Sequence, residues 1–279
     1  MKVILGDNPF FDINHKTGGS DRGFQKESME NVISEFLLSR PCILMLSDHL
    51  EFRPQLLELF EKFQKDSFSL ALISPLPHTV NDLVANGGYK ALLKVLSAKT
   101  VFFLAVGLIL KLLRFQLVSE LFIKVAIKSF VKQQLRPYLK SNILVSHFGL
   151  HNVFTDMLLA SRNLTILNSY IDALNELNIT PILLTQNIAS LIELDRLQDC
   201  VICGSVNPSG YMMPPGRYIT EEVLTQRARS HEIWAMQILA GGTTNLQDSL
   251  NYIKRLNLNC IVYATSKPER INELFEVIE

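Results

Sequence analysis

The chain has 279 residues, enough for one large core, and α/β barrels of this length are usually one domain spanning, here, residues 1–279. Its 27 Lys+Arg balance 27 Asp+Glu, which gives no general pull toward nucleic acid and leaves a small-molecule substrate as the expected partner. The opening "MKVILGDNPFFD" holds too short an apolar run for a signal peptide, and the four cysteines lie inside apolar runs as buried free thiols do, so a cytoplasmic protein is expected.

Eight short apolar runs follow one another along the chain. They are "KVILGD" (2–7), "CILMLS" (42–47), "FSLALIS" (68–74), "NILVSH" (142–147), "TPILLT" (180–185), "CVICGSV" (200–206), "EIWAMQIL" (232–239) and "NCIVYAT" (259–265). Amphipathic helical patterns such as "TNLQDSLNYIKRLN" separate most of them. Near-continuous apolar strands alternating with helices imply a parallel sheet covered on both faces. Eight such units predict an α/β fold, a (β/α)8 TIM barrel. An open doubly wound sheet is the competing arrangement, but "GDNPFF" is not the glycine-rich first turn such a sheet usually shows. In "CVICGSV" the period-2 alternation sends Cys200 and Cys203 to opposite faces, so no disulfide is expected between them.

Between strands 3 and 4 the spacing breaks, and residues 75–141 are expected to form a helical insertion. Residues 99–140 carry eight basic side chains against the single acid Glu120, a net +7 in an otherwise neutral protein. Lys124, Lys128, Lys132 and Arg136 recur every four residues and so line one helical face. The longest uncharged stretch, Thr100 to Leu110, is 11 residues, short of a membrane span. A solvated basic face packed on the barrel is one reading; peripheral contact of 99–140 with an anionic membrane is the other.

A barrel of this kind places its site at the C-terminal ends of the strands. His15, His49, His78, His147 and His151 follow strands 1 to 4, and His147 is expected at the mouth, at the very end of strand 4. Asp7, Asp48, Asn187 and Asn207 fall at or after the ends of strands 1, 2, 5 and 6. Imidazoles near neutrality suit proton transfer or metal binding. The candidate catalytic set is therefore His147, His49, Asp48, Asp7 and His15, with Asn8, His151, Asn187, Asn207 and Tyr211 as substrate contacts. His151 opens the helical pattern "HNVFTDMLLASRN", so it is equally a helix-start residue. Tyr211 tips the stiff loop "PSGYMMPPGRY", which is either a lid over the mouth or plain loop packing. A divalent metal is compatible with this set, although no H-x-H or H-E-x-x-H spacing is present and no ligand group can be named.

"EIWAMQILAGG" followed by "NLQDSLNYIKRLNLNCIVYATSKPERINEL" resembles the last two strand–helix units of the aldo-keto reductase superfamily, and "NILVSHFG" resembles that family's fourth strand. The resemblance implies a (β/α)8 barrel, NADP as cofactor, and a catalytic histidine at His147. It also implies that Ser266, Lys267, Arg270 and Glu273, in "TSKPERINE", hold the cofactor's adenosine end, with Leu274 where the family usually has asparagine. Asp48 matches the family's aspartate, but no tyrosine follows it and Ser74 stands where lysine is expected. Over its whole length the chain resembles uncharacterised barrel proteins related to that superfamily, through "LGDNPFFDINH", "HNVFTDM" and "VNPSGYMM".

With tyrosine and lysine missing, the expectation is acid–base chemistry of lyase, aldolase or isomerase type on a small polar, phosphorylated or carbonyl substrate. The alternative is an NAD(P)-dependent reductase with a degenerate tetrad, in which His49 protonates in place of tyrosine. A non-catalytic barrel that binds a ligand or partner is the third reading.

Overall fold

A computed structural model describes residues 1–11, 23–63, 67–75, 77, 96–113, 115–194, 197–227 and 230–278. Eight strands, β1 (Lys2–Gly6), β2 (Cys42–Ser47), β3 (Phe68–Ile73), β4 (Val145–Leu150), β5 (Thr180–Thr185), β6 (Val201–Ser205), β7 (Glu232–Met236) and β8 (Cys260–Tyr263), close into a barrel in sequence order. Every neighbouring pair is parallel, and β1 meets β8 to close the ring. The described helices are α1 (Lys26–Ser39), α2 (Arg53–Glu61), α3 (Ala98–Leu112), α4 (Gln116–Lys140), α5 (Asn152–Ala160), α6 (Leu164–Asn175), the single turn α7 (Ile188–Leu191), α8 (Arg217–Arg227), α9 (Leu246–Arg255) and α10 (Glu269–Ile278). This is the expected (β/α)8 barrel.

Alternation along each strand splits the core in two. Ile4, Ala71, Ile182, Cys203, Trp234 and Val262 fill the inside of the barrel, while Leu5, Leu44, Phe148, Leu183 and Ile261 face the helix layer. Cys203 belongs to the inner cluster and Cys200 to the outer one, and both thiols are free and buried. Gly149 faces inward where any side chain would collide, since a Cβ there would lie 2.2 Å from Ile73 Cδ1.

Two strands differ from their expected spans by three residues. β4 begins three residues late because the end of α4 uses the intervening backbone: the amides of Ser141, Asn142 and Ile143 all donate back into its last turns. Asn142 takes a left-handed φ of 53°, which ends the helix and cannot continue as strand. β7 stops at Met236 because Gln237 turns to φ 54°. In β4, Leu70 faces Val145 while Ala71 faces His147, so Ser146 is an extra residue that bulges the strand.

Among the described residues of 96–141 there is no strand. α3 and α4 form an antiparallel hairpin fastened at its base by Ser97 N–H to Gln133 Oε1 (2.8 Å) and by Thr100 Oγ1–H to Ser129 Oγ (3.3 Å). The expected basic stripe is not simply solvated. Lys124 and Lys128 clasp Glu176 just beyond α6 at 2.6 and 2.9 Å, and hold its carboxyl down to about 2.

A candidate active site at the C-terminal end of the barrel

Asp7 follows the last residue of β1, and its Oδ2 accepts the Ser47 amide at 2.6 Å, bridging the ends of β1 and β2. Burial pushes the Asp7 carboxyl up to about 6, against the lowering effect of the Ser47 amide. His49 lies two residues past β2, is 3% exposed, and places Nε2 3.9 Å from Asp7 Oδ2 and Nδ1 3.9 Å from Glu51 Oε1. A short 3-10 turn, Asn8–Phe11, drops the Phe11 ring flat on the imidazole, centroid to centroid 3.9 Å. Asn8 opens that turn, half-buried at the rim. The result is a buried acid and imidazole side by side just past the C-terminal ends of β1 and β2, packed against Phe11 and Phe52.

Asp48 points the other way. Strand alternation turns it out toward the helices, where Arg53 grips both carboxylate oxygens, Nε–Oδ1 at 3.2 Å and Nη2–Oδ2 at 2.5 Å. Tyr138 of α4 donates its hydroxyl to Oδ1 at 3.1 Å, and Gln134 accepts from Arg53 at 3.3 Å. Burial raises the Asp48 pKa, and the Arg53 guanidinium opposes that rise. Asp48 is thus committed to a buried network that ties the insertion to the barrel wall, and the role of orienting His49 falls to Asp7. Arg53 and Tyr138 went unforeseen; the one signal for them was Gln134 and Tyr138 spaced four apart on a helix.

His147 is not at the mouth. The late start of β4 puts it third in the strand, level with Ala71 and with Thr180, the first residue of β5. Its ring packs on Trp234 at 5.0 Å, and its Nδ1 meets Ser146 Oγ at 2.8 Å. Lys2 and Glu232, the first residues of β1 and β7, complete this floor, with Lys2 Nζ 3.0 Å from Glu232 Oε1 and Trp234 Nε1 donating to the same oxygen at 2.9 Å. Burial and the nearby Lys2 charge lower the His147 pKa to about 4, against the raising effect of Glu232. Burial acts to raise the Glu232 pKa, but its bonds from Trp234 and Lys2 outweigh that and hold it below the usual value.

The other expected contacts are largely structural. His151 N-caps α5, its Nδ1 accepting from Val153 N–H at 3.3 Å. Asn187 caps α7 through Ser190 N–H at 3.0 Å, beside Asp156, which takes the Thr185 hydroxyl and the Gln186 amide. Asn207 is fully buried and folds the following loop back on itself, binding the Tyr211 amide and carbonyl, both at 2.8 Å. Tyr211 is 37% exposed and lies over Gly241, whose φ of 67° suits glycine, so the loop crosses the rim between β6 and β7. His15 and His78 lie outside the described residues. Among the described residues no cluster of three or more His, Cys, Asp or Glu could hold a metal ion.

At the end of β8, Ser28 Oγ donates to Ser266 O at 2.8 Å, fixing the 265–268 loop against α1. Lys267 precedes α10 and is exposed, and Arg270 in the first turn pairs with Glu273. The start of this ten-residue helix carries Lys267 and Arg270 beside the acids Glu269 and Glu273, so what it offers a phosphate group is its free backbone amides and Lys267, not a net positive charge.

No protein-family model and no curated protein matches the chain. Among solved structures it is similar to two from Pseudomonas aeruginosa, each described as a "putative aldo-keto reductase". One has a TM-score of 0.58 at 10% identity over 99% of this chain and 88% of that one. The other has 0.57 at 9% identity over 99% and 90%. At such identity the likeness is one of fold, and it runs from end to end. Both neighbours are described as reductases, so the preference for a lyase, aldolase or isomerase is set aside in favour of the oxidoreductase alternative.

Proposed function

We propose that the protein is a nicotinamide-dependent oxidoreductase acting on a carbonyl or alcohol, with its proton donor rebuilt around His49 and Asp7. The observation that carries the reading is the buried acid–imidazole pair at the C-terminal end of the barrel, 3.9 Å apart. The shared fold supports it, and the start of α10 offers Ser266, Lys267 and Arg270 to the phosphates of NADP, with Glu269 and Glu273 beside them.

When bound, the nicotinamide supplies the hydride. The chain's own part is the proton. His49 Nε2 donates it to the developing alkoxide oxygen, and the Asp7 carboxylate steadies the imidazolium before donation and serves as its route of resupply. A carboxyl titrating near 6 exchanges protons readily around neutrality, which suits that relay. Phe11 and Phe52 exclude water from the pair and strengthen its electrostatics. Arg53 occupies Asp48, so the aspartate of the expected tetrad takes no direct part.

The test is a titration with NADPH followed by a panel of carbonyl substrates. NADPH fluorescence should quench, the melting temperature should rise, and Lys267→Ala with Arg270→Ala should weaken the binding by about tenfold or more. An unchanged melting temperature at millimolar NADPH and NADH would end the redox reading.

A further inference from the structure

The outer face of the α3–α4 hairpin has no place in the proposed reaction. α3 packs on α4 through one stripe, Thr100, Phe103, Leu104 and Gly107; the approach at Gly107 is close enough that a Cβ would lie 3.0 Å from Ile123 Cγ1. The opposite stripe, including Phe102, Leu108, Ile109 and Leu112, faces solvent, with exposures from 49% to 84%. Half of the large apolar side chains found exposed among the described residues fall between residues 101 and 121. Soluble surfaces rarely gather apolar side chains this way unless something covers them.

We propose that this face rests on an anionic lipid surface. Three properties select that occupant. First, the face offers no hydrogen-bonding side chain along α3 between Phe102 and Leu110, whereas a protein partner requires roughly one hydrogen bond per 100–200 Å² of interface. An acyl layer requires none. Secondly, the apolar face is framed by positive charge. Lys99 stands at one end of α3, and Lys132, Arg136 and Lys140 are exposed along α4 with no ion pair among the described residues. Lys124 and Lys128 are already bound to Glu176, so among the described side chains the remaining positive charge sits toward the hairpin base. Thirdly, a second copy would bring two like-charged hairpins together, since residues 99–140 carry eight basic side chains against one acid, which electrostatics opposes, while anionic headgroups attract them. No helix among the described residues is long and apolar enough to cross a membrane, so the hairpin lies on the surface and does not span it.

The test is co-sedimentation of the full chain with phosphatidylcholine vesicles, with and without about 30% phosphatidylserine, at about 0.1 and 0.5 M salt. The wild type should pellet with the anionic vesicles, lose about tenfold in affinity at the higher salt, and stay in solution with neutral ones. Ile109→Asp with Leu112→Asp should reduce binding about tenfold or more, and Lys132→Glu with Arg136→Glu comparably, with melting temperatures within a few degrees of wild type. Equal pelleting on both vesicle types, no pelleting on either, or wild-type binding by the apolar variant would overturn the proposal. A dimer seen by light scattering and abolished by Ile109→Asp with Leu112→Asp would assign the face to a second copy and overturn it equally. None of these outcomes depends on NADPH binding, so this proposal and the redox reading fail separately.

Discussion

The two ends of the barrel hold the same ingredients in different arrangements. At the C-terminal end a buried imidazole, His49, faces a buried carboxyl, Asp7, with the Glu51 carboxylate on its other nitrogen. At the N-terminal end His147 faces Glu232, but Lys2 stands between their charges and Trp234 fills the space. Burial makes Asp7 a weaker acid and His147 a weaker base. At the mouth this leaves a group that exchanges protons near neutrality. On the floor it leaves a neutral imidazole used as packing. Proximity of histidine to carboxylate is therefore not enough; the cation and the end of the barrel decide.

The sharpest way to break this comparison is to exchange one histidine at each end. His49→Gln should lower turnover by about 10²- to 10⁴-fold once a carbonyl substrate is in hand, with NADPH affinity within about twofold. His147→Gln should leave turnover within about twofold. Steady-state kinetics on the two variants checks both, and the reverse pattern would return catalysis to the floor.

Next in size is the neighbouring carboxylate in the barrel wall, Asp48. Arg53→Met removes the partner of a buried Asp48 and should cost about 3–5 kcal/mol, read by urea denaturation. Arg53→Met with Asp48→Leu should recover much of that loss, because no unpaired charge remains.

The two shifted groups also oppose each other in pH. Asp7 binds its proton more tightly folded than unfolded, so its contribution is greatest at low pH and declines as pH rises from about 4 to about 6. His147 binds its proton less tightly when folded, so its contribution is intact above pH ~6.5 and declines as pH falls toward about 4. Each effect is about 3 kcal/mol, so over this window they nearly cancel. Asp7→Asn should be more stable than wild type by up to about 3 kcal/mol at pH 7.5, an advantage that vanishes near pH 4. His147→Phe should change its stability relative to wild type in the opposite half of the cycle, gaining as pH falls. Denaturant midpoints at three pH values would expose parallel curves if the assignments are wrong.

The smallest effect belongs to Glu232. Its side chain is 48% exposed, so Glu232→Gln should cost no more than about 1 kcal/mol and lower the His147 pKa a little further, visible by proton NMR of the ring.

The barrel was legible because strands buried on both faces read as unbroken apolar runs, and six of the eight match them to within two residues at each end. β4 misled because "NILV" is apolar for two reasons at once. Ile143 closes the end of α4 while Val145 starts the strand, and periodicity cannot separate a helix stop from a strand start across a single left-handed Asn142. That three-residue error moved His147 from floor to mouth and made it the leading catalytic candidate. Asp7 and His49 were found by the simpler rule that strand ends face the site. The claim of Arg53 on Asp48 follows from side-chain direction: alternation along "CILMLSDH" sends Asp48 outward to the helices.

The clamp of Tyr138 and Gln134 on the Asp48–Arg53 pair has a practical corollary for anyone reshaping the insertion. The excursion is two pieces in series. Its root, from Val131 to Lys140, contributes Val131, Leu135 and Tyr138 to the wall of the barrel. The hairpin beyond it meets the rest of the protein through Ile127 and Phe130, which pack against the core, and through the pairs of Lys124 and Lys128 with Glu176. A truncation that rejoins the chain ahead of Val131 keeps the clamp and leaves a cassette into which other helices could be grafted, whereas one cut further in would strand a buried carboxylate and guanidinium in the wall.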